Sequence, residues 1–455
     1  MKIIICGAGS VGAGIAEYLS AEYSTTLIDI NSIALTQAEE KLDVQTVLGD
    51  ASDPNVLEKA GIQDTPIFIA VTDSDTINLT ACQIVDSAFQ GKLKIARLKD
   101  ISNKAPKWFE NFKRTYLPID VIISPEQEIT SEILQHLKAP FAFSVLPFFE
   151  STLYLLGIKI KPGSPFIDYP IKHLDKLIGP LKVTLFRISR GHSVWLPKEN
   201  DALIAGDDAY FSVPAENIEN FKNASGYSEE RSGRILILGG GQVGLFLATQ
   251  IESHHPHLSS TLIEHKNSKL QNLVSHLNNT IILQGDPLDP FILKEAGIDY
   301  TDHVIAVDPD DKVNILGSLL AKRYGAKKAI TLVTRHSHFS LMHSLGIDKP
   351  LNPSFLTIST ILKRVRKAYM NSLHYLSDDT LDMIMEVTIQ PSVAAIGLTV
   401  REINQPKALV IIALWRNAAL HDALPETLLE EGDRLIIVAE KNQQKKIKAL
   451  FDQGT

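Results

Sequence analysis

The feature that most constrains this chain is a signature that occurs twice. An apolar run, Ile3-Ile4-Ile5-Cys6, leads into Gly-Ala-Gly-Ser-Val-Gly at residues 7–12, and about half a chain later Ile235-Leu236-Ile237-Leu238 leads into Gly-Gly-Gly-Gln-Val-Gly at 239–244. The residues downstream of each signature repeat in the same order. Gly49-Asp50 and Asp53-Pro54 match Gly285-Asp286 and Asp289-Pro290. Ala60-Gly61-Ile62 matches Ala296-Gly297-Ile298, and Ala70-Val71, Asp75 and Asn78 match Ala306-Val307, Asp311 and Asn314. Ser124-Pro125 and Asn352-Pro353, then Gly206-Asp207 and Gly432-Asp433, continue the series. So much ordered self-similarity marks a duplication, and both halves must then build one fold.

Within each half, short apolar runs alternate with helical patterns. In the first half the runs fall near 2–6, 25–29, 44–48, 67–71, 94–98 and 119–123. Such alternation calls for a parallel sheet covered on both faces. Past residue 139, and again past 371, β-type runs such as Val183–Phe186, Ala209–Val213, Leu409–Leu414 and Arg434–Val438 replace it. The predicted class is α/β: two Rossmann-like doubly wound parallel-sheet domains, each followed by a small α+β domain. The expected boundaries are 1–138, 139–221, a polar glycine-bearing linker at 222–233, then 234–370 and 371–455. The 455 residues, 44% apolar and 22% charged, are enough for several ordinary cores.

A glycine signature gains weight when it joins a strand to a helix, and both copies do so. Gly7 and Gly239 permit the tight turn. Gly9 and Gly241 let a pyrophosphate approach the backbone, and Gly12 and Gly244 let helix and sheet close up. With Ala8, Ser10 and Val11, and Gly240, Gln242 and Val243, they form two candidate phosphate cradles at helix N-termini. Asp29 and Glu264 end the second strands, where a carboxylate accepts both ribose hydroxyls and repels a 2′-phosphate; that favours NAD(H) over NADP. Asp50 and Asp286 come after the third strands, either facing an adenine or serving as turn or cap residues. Thr72-Asp73 end the fourth strand; Asp308-Pro309 take their place in the second copy, and Pro309 has no N–H to offer. Arg97 and Arg335 end the fifth strands, for a phosphate or a surface ion pair.

Other classes are disfavoured. A net charge of -8 argues against a nucleic-acid binder working through a general positive field. Cys6 and Cys82 are too few for a disulfide framework and lack metal spacing. The chain opens directly on a strand pattern, with no leader expected, and no apolar run reaches the ~20 residues that span a bilayer. His254, His255 and His257, and His336 and His338, read as solvated loop residues, and no metal is expected. Lys363, Arg364, Arg366 and Lys367 form the basic end of an amphipathic helix starting near Ser354, read as a solvated face. Gly206-Asp207 and Gly432-Asp433 read as tight turns, and neither small lobe shows a catalytic set.

These residues resemble the Trk-type potassium-uptake regulatory subunits, the TrkA family, built from tandem RCK/KTN domains each followed by an RCK-C domain. The resemblance rests on MKIIICGAGSVG at 1–12, Asp29, Gly49-Asp50, AVTDSD at 70–75, Asn78, ACQ at 81–83 and IARL at 95–98. In the second copy it rests on GGGQVG at 239–244, Glu264, AKRYGAKK at 321–328 and VRKA at 365–368. It implies binding of NAD(H), and of ATP or ADP, at Gly7–Val11, Asp29, Thr72, Asp73 and Arg97, and at Gly239–Val243, Glu264 and Arg335. It also implies a homo-oligomeric ring of two to four chains, docked from the cytoplasm on a polytopic potassium-translocating membrane subunit. Asp308-Pro309 and the histidine-bearing 254–257 stretch depart from the family pattern.

The expected role is regulation without catalysis. The alternative, an NAD-dependent oxidoreductase, needs a proton-transfer residue facing the nicotinamide, and the repeated lobes offer no candidate.

Overall fold

The computed structural model describes all residues except 90, 100–117, 168, 192, 228–232, 340, 343, 366–369, 376–381, 405–408, 422, 441–442 and 452–455. Part of the expected linker, and Arg366, Lys367 and Ala368 of the expected basic helix end, fall outside the described residues. The chain forms two compact units: Met1–Glu132 with Gly233–Val365, and Ile133–Ser232 with Arg366–Thr455. Each unit therefore takes a piece from both halves of the duplication.

The first unit holds two six-stranded sheets. β1 (Lys2–Cys6), β2 (Ser24–Asp29), β3 (Gln45–Leu48), β4 (Ile67–Ala70), β5 (Leu93–Arg97) and β6 (Val121–Ile123) lie in the order 3-2-1-4-5-6, all parallel. The order reverses between β1 and β4, and a ligand crevice opens at such a switch point. Alternation sets the two faces. Ile3, Ile5, Leu27, Ile69 and Ile95 point to one buried cluster, while Ile4, Cys6, Ile28, Phe68 and Ala96 point to the other. A strand buried on both faces reads as a continuous apolar run, as β1 does. Asp53 caps helix Pro54–Lys59, with proline in the first turn, and Ser74 caps helix Asp75–Ala88.

The small lobe of the first copy is antiparallel. β7 (Ser144–Phe148), β8 (Leu153–Lys159), β9 (Thr184–Arg190), β10 (Ser193–Trp195) and β11 (Asp208–Pro214) form a sheet ordered 10-9-11-8-7. The other parallel sheet repeats the first: β12 (Arg234–Leu238), β13 (Ser259–Glu264), β14 (Ile281–Gln284), β15 (His303–Ala306), β16 (Lys328–Leu332) and β17 (Lys349–Leu351), ordered 14-13-12-15-16-17. In the small lobe of the second copy, β18 (Met370–Tyr375), β19 (Asp382–Thr388), β20 (Leu409–Arg416), β21 (Ala419–His421) and β22 (Arg434–Glu440) form a second antiparallel sheet, ordered 18-19-22-20-21. The α/β class and the parallel doubly wound sheets expected from the sequence are what the chain forms.

One packing arrangement joins the copies inside the first unit. Helix Pro353–Val365, from the second copy, lays Ile358, Ile361, Leu362 and Val365 into the cluster of Ile3, Ile15 and Leu19 of the first copy. Gly14 makes room for it: a methyl group there would stand 2.4 Å from Ile358 Cδ1. Thr360 donates to Glu128 Oε2 at 2.7 Å, and Lys349 pairs with Glu132 at 3.1 Å. In the second unit the two small lobes share a cluster in which Phe148, Phe149, Leu155 and Tyr210 meet Ile384, Ala413, Ile436 and Val438.

Each lobe also holds a clamp behind its Gly-Asp turn. Asp207, with a fully buried side chain, accepts Arg190 Nε and Nη2 at 2.7 and 2.8 Å and the Ile204 N–H at 2.9 Å. Asp433 accepts Arg416 Nε and Nη2, both at 2.7 Å, and the Glu430 N–H at 2.8 Å. The sequence reading of these residues as tight turns was incomplete: each aspartate also ties its turn to a neighbouring strand.

Candidate functional site

The first crevice is built around Gly7, whose φ of +104° lets the chain turn sharply off β1. Its α-carbon packs so close to the end of β4 that a methyl group would stand 3.0 Å from the Thr72 nitrogen. Helix Ser10–Leu19 then starts at Gly9, which caps it without a side-chain acceptor, so its first N–H groups face the crevice. Gly12 allows helix and turn to touch: a methyl group would meet the Gly7 carbonyl oxygen at 1.8 Å. Gly9 contrasts with it, because nothing lies within 4 Å of where its methyl group would be. Gly12 is thus required by the fold, whereas the space over Gly9 is left open for a ligand.

Asp29 ends β2, half-buried beside this turn. Its Oδ2 accepts the Ala8 N–H at 2.6 Å and its Oδ1 the Asn31 N–H at 2.8 Å. On the other side of the switch point, fully buried Asn78 joins the ends of β4 and β5. Its Oδ1 accepts from Thr72 N and Oγ1 at 3.0 and 2.7 Å; its Nδ2 donates to the Thr72 and Arg97 carbonyls at 3.1 and 2.8 Å. Arg97 lies mostly buried, with Nη1 3.7 Å from the exposed Asp73 carboxylate and a buried Nε that no hydrogen bond satisfies. Lys99 also reaches Asp73, donating to its carbonyl at 3.0 Å. Glu126, opening the helix after β6, is pushed up by burial, against which Ser124 and the Arg97 charge pull. Asp50 is exposed and accepts Ser52 N and Oγ at 2.8 and 2.7 Å, which places it as a turn residue, while Asp53 does the capping.

The second crevice repeats the backbone and changes the side chains. Gly239 has φ +108°, Gly244 touches the Gly239 carbonyl as Gly12 touches Gly7, and helix Gln242–His254 starts at Gly241. Asn314 repeats the staple, accepting the Asp308 N–H at 2.7 Å and donating to the Asp308 and Leu332 carbonyls at 2.7 and 3.1 Å. Glu264, however, is fully buried. It accepts the Gly240 N–H at 2.9 Å and the Lys266 N–H at 2.7 Å, and Lys269 Nζ stands at 3.3 Å. Burial pushes this carboxyl up, but those N–H groups and the Lys269 ammonium outweigh it and hold it below the usual carboxylate range. Asp308 replaces Thr72 and is itself buried, its Oδ2 without a donor. The Arg335 side chain is exposed, while its N–H, with Thr334, caps onto Asp311. Asp286 accepts the Leu288 N–H in a turn like that of Asp50.

The glycine turns, Asp29, Glu264 and the strand ends at Thr72, Arg97 and Asp308 gather at two switch points, whereas Asp50 and Asp286 serve in turns and the Arg335 side chain is exposed. Sequence reasoning left the roles of four participants unread. Asn78 and Asn314 were visible as repeated residues, and Asn78 as part of the resemblance, but not as staples. Lys269 carried no motif. Ser354, from the second copy, places its Oγ 3.1 Å from Ser10 Oγ in the first copy's glycine turn, and no local pattern announces that contact. Among the described residues no group of three or more His, Cys, Asp or Glu could hold a metal ion, and no helix is long and apolar enough to cross a membrane.

The TrkA-N domain model matches residues 3–125 and 235–353, and the TrkA-C domain model matches 384–452. The chain is 34% identical over 452 residues to the Trk system potassium uptake protein TrkA of Azorhizobium caulinodans, covering 99% of this chain and 98% of the relative. It is 31% identical to that of Halomonas elongata, covering 100% and 99%. Among solved structures it is similar to the GsuK RCK domain (TM-score 0.59, 18% identity, covering 98% of this chain and 94% of the other). It is equally similar to the GsuK channel bound to NAD (TM-score 0.59, 19% identity, 99% and 78%), a likeness of fold. With full-length relatives above 30% identity and a domain model matched in both halves, the chain belongs to the TrkA family.

Proposed function

We propose that this chain is the nucleotide-sensing regulatory subunit of a membrane potassium-uptake system, and that it binds its cofactor as a signal without turning it over. One observation carries the reading: at the first switch point an open glycine cradle, a half-buried acid and an unsatisfied guanidinium nitrogen belong to one connected framework. These are the groups an adenine dinucleotide needs.

NAD(H) fits that set. Ala8, Gly9, Ser10 and Val11 would hold the pyrophosphate on the helix N-terminus, with Gly7 and Gly12 shaping the turn. Asp29 would hold the adenosine ribose, and Thr72, Asp73 and Arg97 the far side. ATP or ADP presents the same adenosine and phosphates and would compete there. Gly239–Gly244, Glu264, Asp286 and Arg335 make the corresponding second set. When bound, NAD(H) would supply its differential affinity for two conformations, which is the only way a ligand shifts an equilibrium. A swing from 1:99 to 99:1 needs about 10⁴-fold preference, about 5.5 kcal/mol, which a ring of two to four chains with two crevices each could share.

The transported ion and the polytopic partner come from the relatives, which are named as members of a Trk potassium-uptake system. On this reading the chain works in the cytoplasm, peripherally on the inner face of the membrane, and its working division is the five segments 1–138, 139–221, 222–233, 234–370 and 371–455. Calorimetry with NADH on the full chain tests the reading. Binding should weaken in Asp29→Ala with the fold retained, and NADH should survive hours of incubation with carbonyl substrates. Unchanged affinity in that variant, or steady hydride turnover, would overturn it.

A further inference from the structure

The two crevices differ most just after the acid that ends each second strand. In the first copy the residues are Ile30-Asn31-Ser32-Ile33-Ala34, with no charge and with Ile30 and Ile33 exposed. In the second copy the same five positions hold His265-Lys266-Asn267-Ser268-Lys269. The backbone around them is alike: β2 and β13 pair in the same register with their neighbours, and lead into helices Ser32–Glu39 and Asn267–Val274. The change is therefore one of chemistry at a matched place.

The acids themselves differ in exposure and in their side-chain partners. Asp29 is half-buried and engaged by two backbone N–H groups. Glu264 is fully buried and held by the Gly240 and Lys266 N–H groups and by Lys269, with His265 Nδ1 at 3.3 Å as well. Both acids brace their glycine turn through the same pair of backbone N–H groups; Glu264 differs in being fully buried and in holding Lys269 as well, which leaves it less open than Asp29 to ribose hydroxyls. Lys269 also leans over the cradle: its Nζ lies 3.9 Å from where a methyl group on Gly241 would be, whereas Gly9 has nothing within 4 Å. Lys266 is exposed at the N-cap position of the same helix. Around the ribose position the first crevice thus presents one negative charge. The second presents Lys269 against one buried negative, with the exposed Lys266 at the start of the same helix. At the opposite side, buried Asp308 brings an oxygen without a donor, which makes that end less hospitable to phosphate.

We infer that the second crevice selects an adenosine ribose carrying a 2′-phosphate, as in NADP(H), through Lys266 and Lys269, while the first takes the unphosphorylated ribose. The phosphate dianion would draw Lys269 off Glu264, which keeps its two backbone donors, and charge-assisted hydrogen bonds to two ammonium groups would replace the ribose hydroxyl contacts. This rests on the reading that the crevices bind nucleotides, and it departs from the expectation that Glu264 excludes a 2′-phosphate. The two halves of the duplication would then report on different cofactor pools.

The test is calorimetry on the full chain with four probes: NADH, NADPH, 5′-AMP and 2′,5′-ADP. In an Asp29→Ala background, which weakens the first crevice, NADPH and 2′,5′-ADP should bind about tenfold or more tighter than NADH and 5′-AMP, which lack the 2′-phosphate, and more salt-sensitively. Lys266→Ala, on an exposed side chain that leaves the backbone N–H to Glu264 in place, should erase most of that preference, and adding Lys269→Gln the rest. Equal binding of the phosphorylated and plain probes, or a preference untouched by both lysine variants, would overturn the inference and leave nucleotide sensing intact. So would a second crevice that accepts no probe until Lys269 is replaced and then takes NADH. Failure of every probe in the wild-type chain would instead sink the nucleotide reading itself.

Discussion

Replacing Asn78 by alanine tests whether the first crevice is held together as described. The side chain is fully buried and makes four hydrogen bonds that join the ends of β4 and β5. A neutral hydrogen bond contributes about 1 kcal/mol net, and a buried group left without its partner costs about 1–3 kcal/mol. The Thr72 hydroxyl can turn elsewhere, so the Thr72 N–H and the Arg97 carbonyl bear most of the loss. The local penalty is then about 2–4 kcal/mol, equivalent to about a 30- to 1000-fold change in a local opening equilibrium. Amide hydrogen exchange read by mass spectrometry reports this directly. Exchange in the peptide containing Thr72 should accelerate by that factor, and NADH affinity should fall because Thr72 and Arg97 are both released. Asn314→Ala should accelerate exchange around Asp308 and leave Thr72 unchanged, since each staple serves its own sheet. Asn78→Asp keeps the acceptor but sets a charge against two carbonyl oxygens, so it should do no better than alanine. Unaltered exchange at Thr72 together with unaltered NADH affinity would refute the role assigned to the staple.

Two other outcomes rest on individual contacts. Gly9→Ala should fold normally yet lose NADH affinity about tenfold or more, because its methyl group enters the open cradle; Gly12→Ala should damage the fold itself, as a thermal melt would record, because its methyl group would overlap the Gly7 carbonyl. Asp207→Asn should cost about 1–3 kcal/mol at neutral pH, because it discharges a buried carboxylate whose partner Arg190 is itself partly exposed. Burial pushes the Asp207 carboxyl up, yet Arg190 and the Ile204 N–H hold it below its ordinary range. Its stabilisation is therefore complete above the unfolded value of about 3.9 and is lost as pH falls through the lowered folded value. Melting temperatures of wild type and variant should accordingly converge in acid, and a gap that stays constant down to about pH 2 would contradict the linkage.

Backbone-scale features were legible in the sequence because they depend on local chemistry. A positive φ at Gly7 and a close approach at Gly12 admit only glycine, and the apolar run before them reads directly as a strand buried on both faces. The acids at 29 and 264 were equally visible, but not their difference. Whether a carboxylate is free or spent depends on what fills the space around it, and Lys269, in the first turn of Asn267–Val274, carries no signature of its own. Asp207 and Asp433 were masked in the opposite way. A Gly-Asp pair is an ordinary turn signal, and the arginines that make it a clamp lie on another strand, 17 residues away in each lobe. Partners chosen by tertiary packing leave no periodicity to read.

The contact between the copies bears on why a sensor of this kind gains from duplication within one chain. Helix Pro353–Val365 starts beside the first crevice's glycine turn and runs along the helix that would carry the pyrophosphate. The same helix leaves β17 of the second sheet, and Asn352 at its start donates to the Thr334 carbonyl at 3.3 Å and accepts the Phe355 N–H. Thr334 in turn caps onto Asp311, one position beyond the Asp310 cap of helix Asp311–Arg323. A chain of direct contacts therefore runs from Ser10 at one crevice to the β15–β16 edge of the other. Because interiors are close-packed, a shift of the first helix on binding must be absorbed by Ile358 and Ile361 or passed along this path. Covalent linkage keeps unlike crevices paired in a fixed one-to-one ratio, which separate identical subunits could not do. On the proposed selectivity the difference between the two sites then has a use: each would bias the shared helix in response to its own ligand.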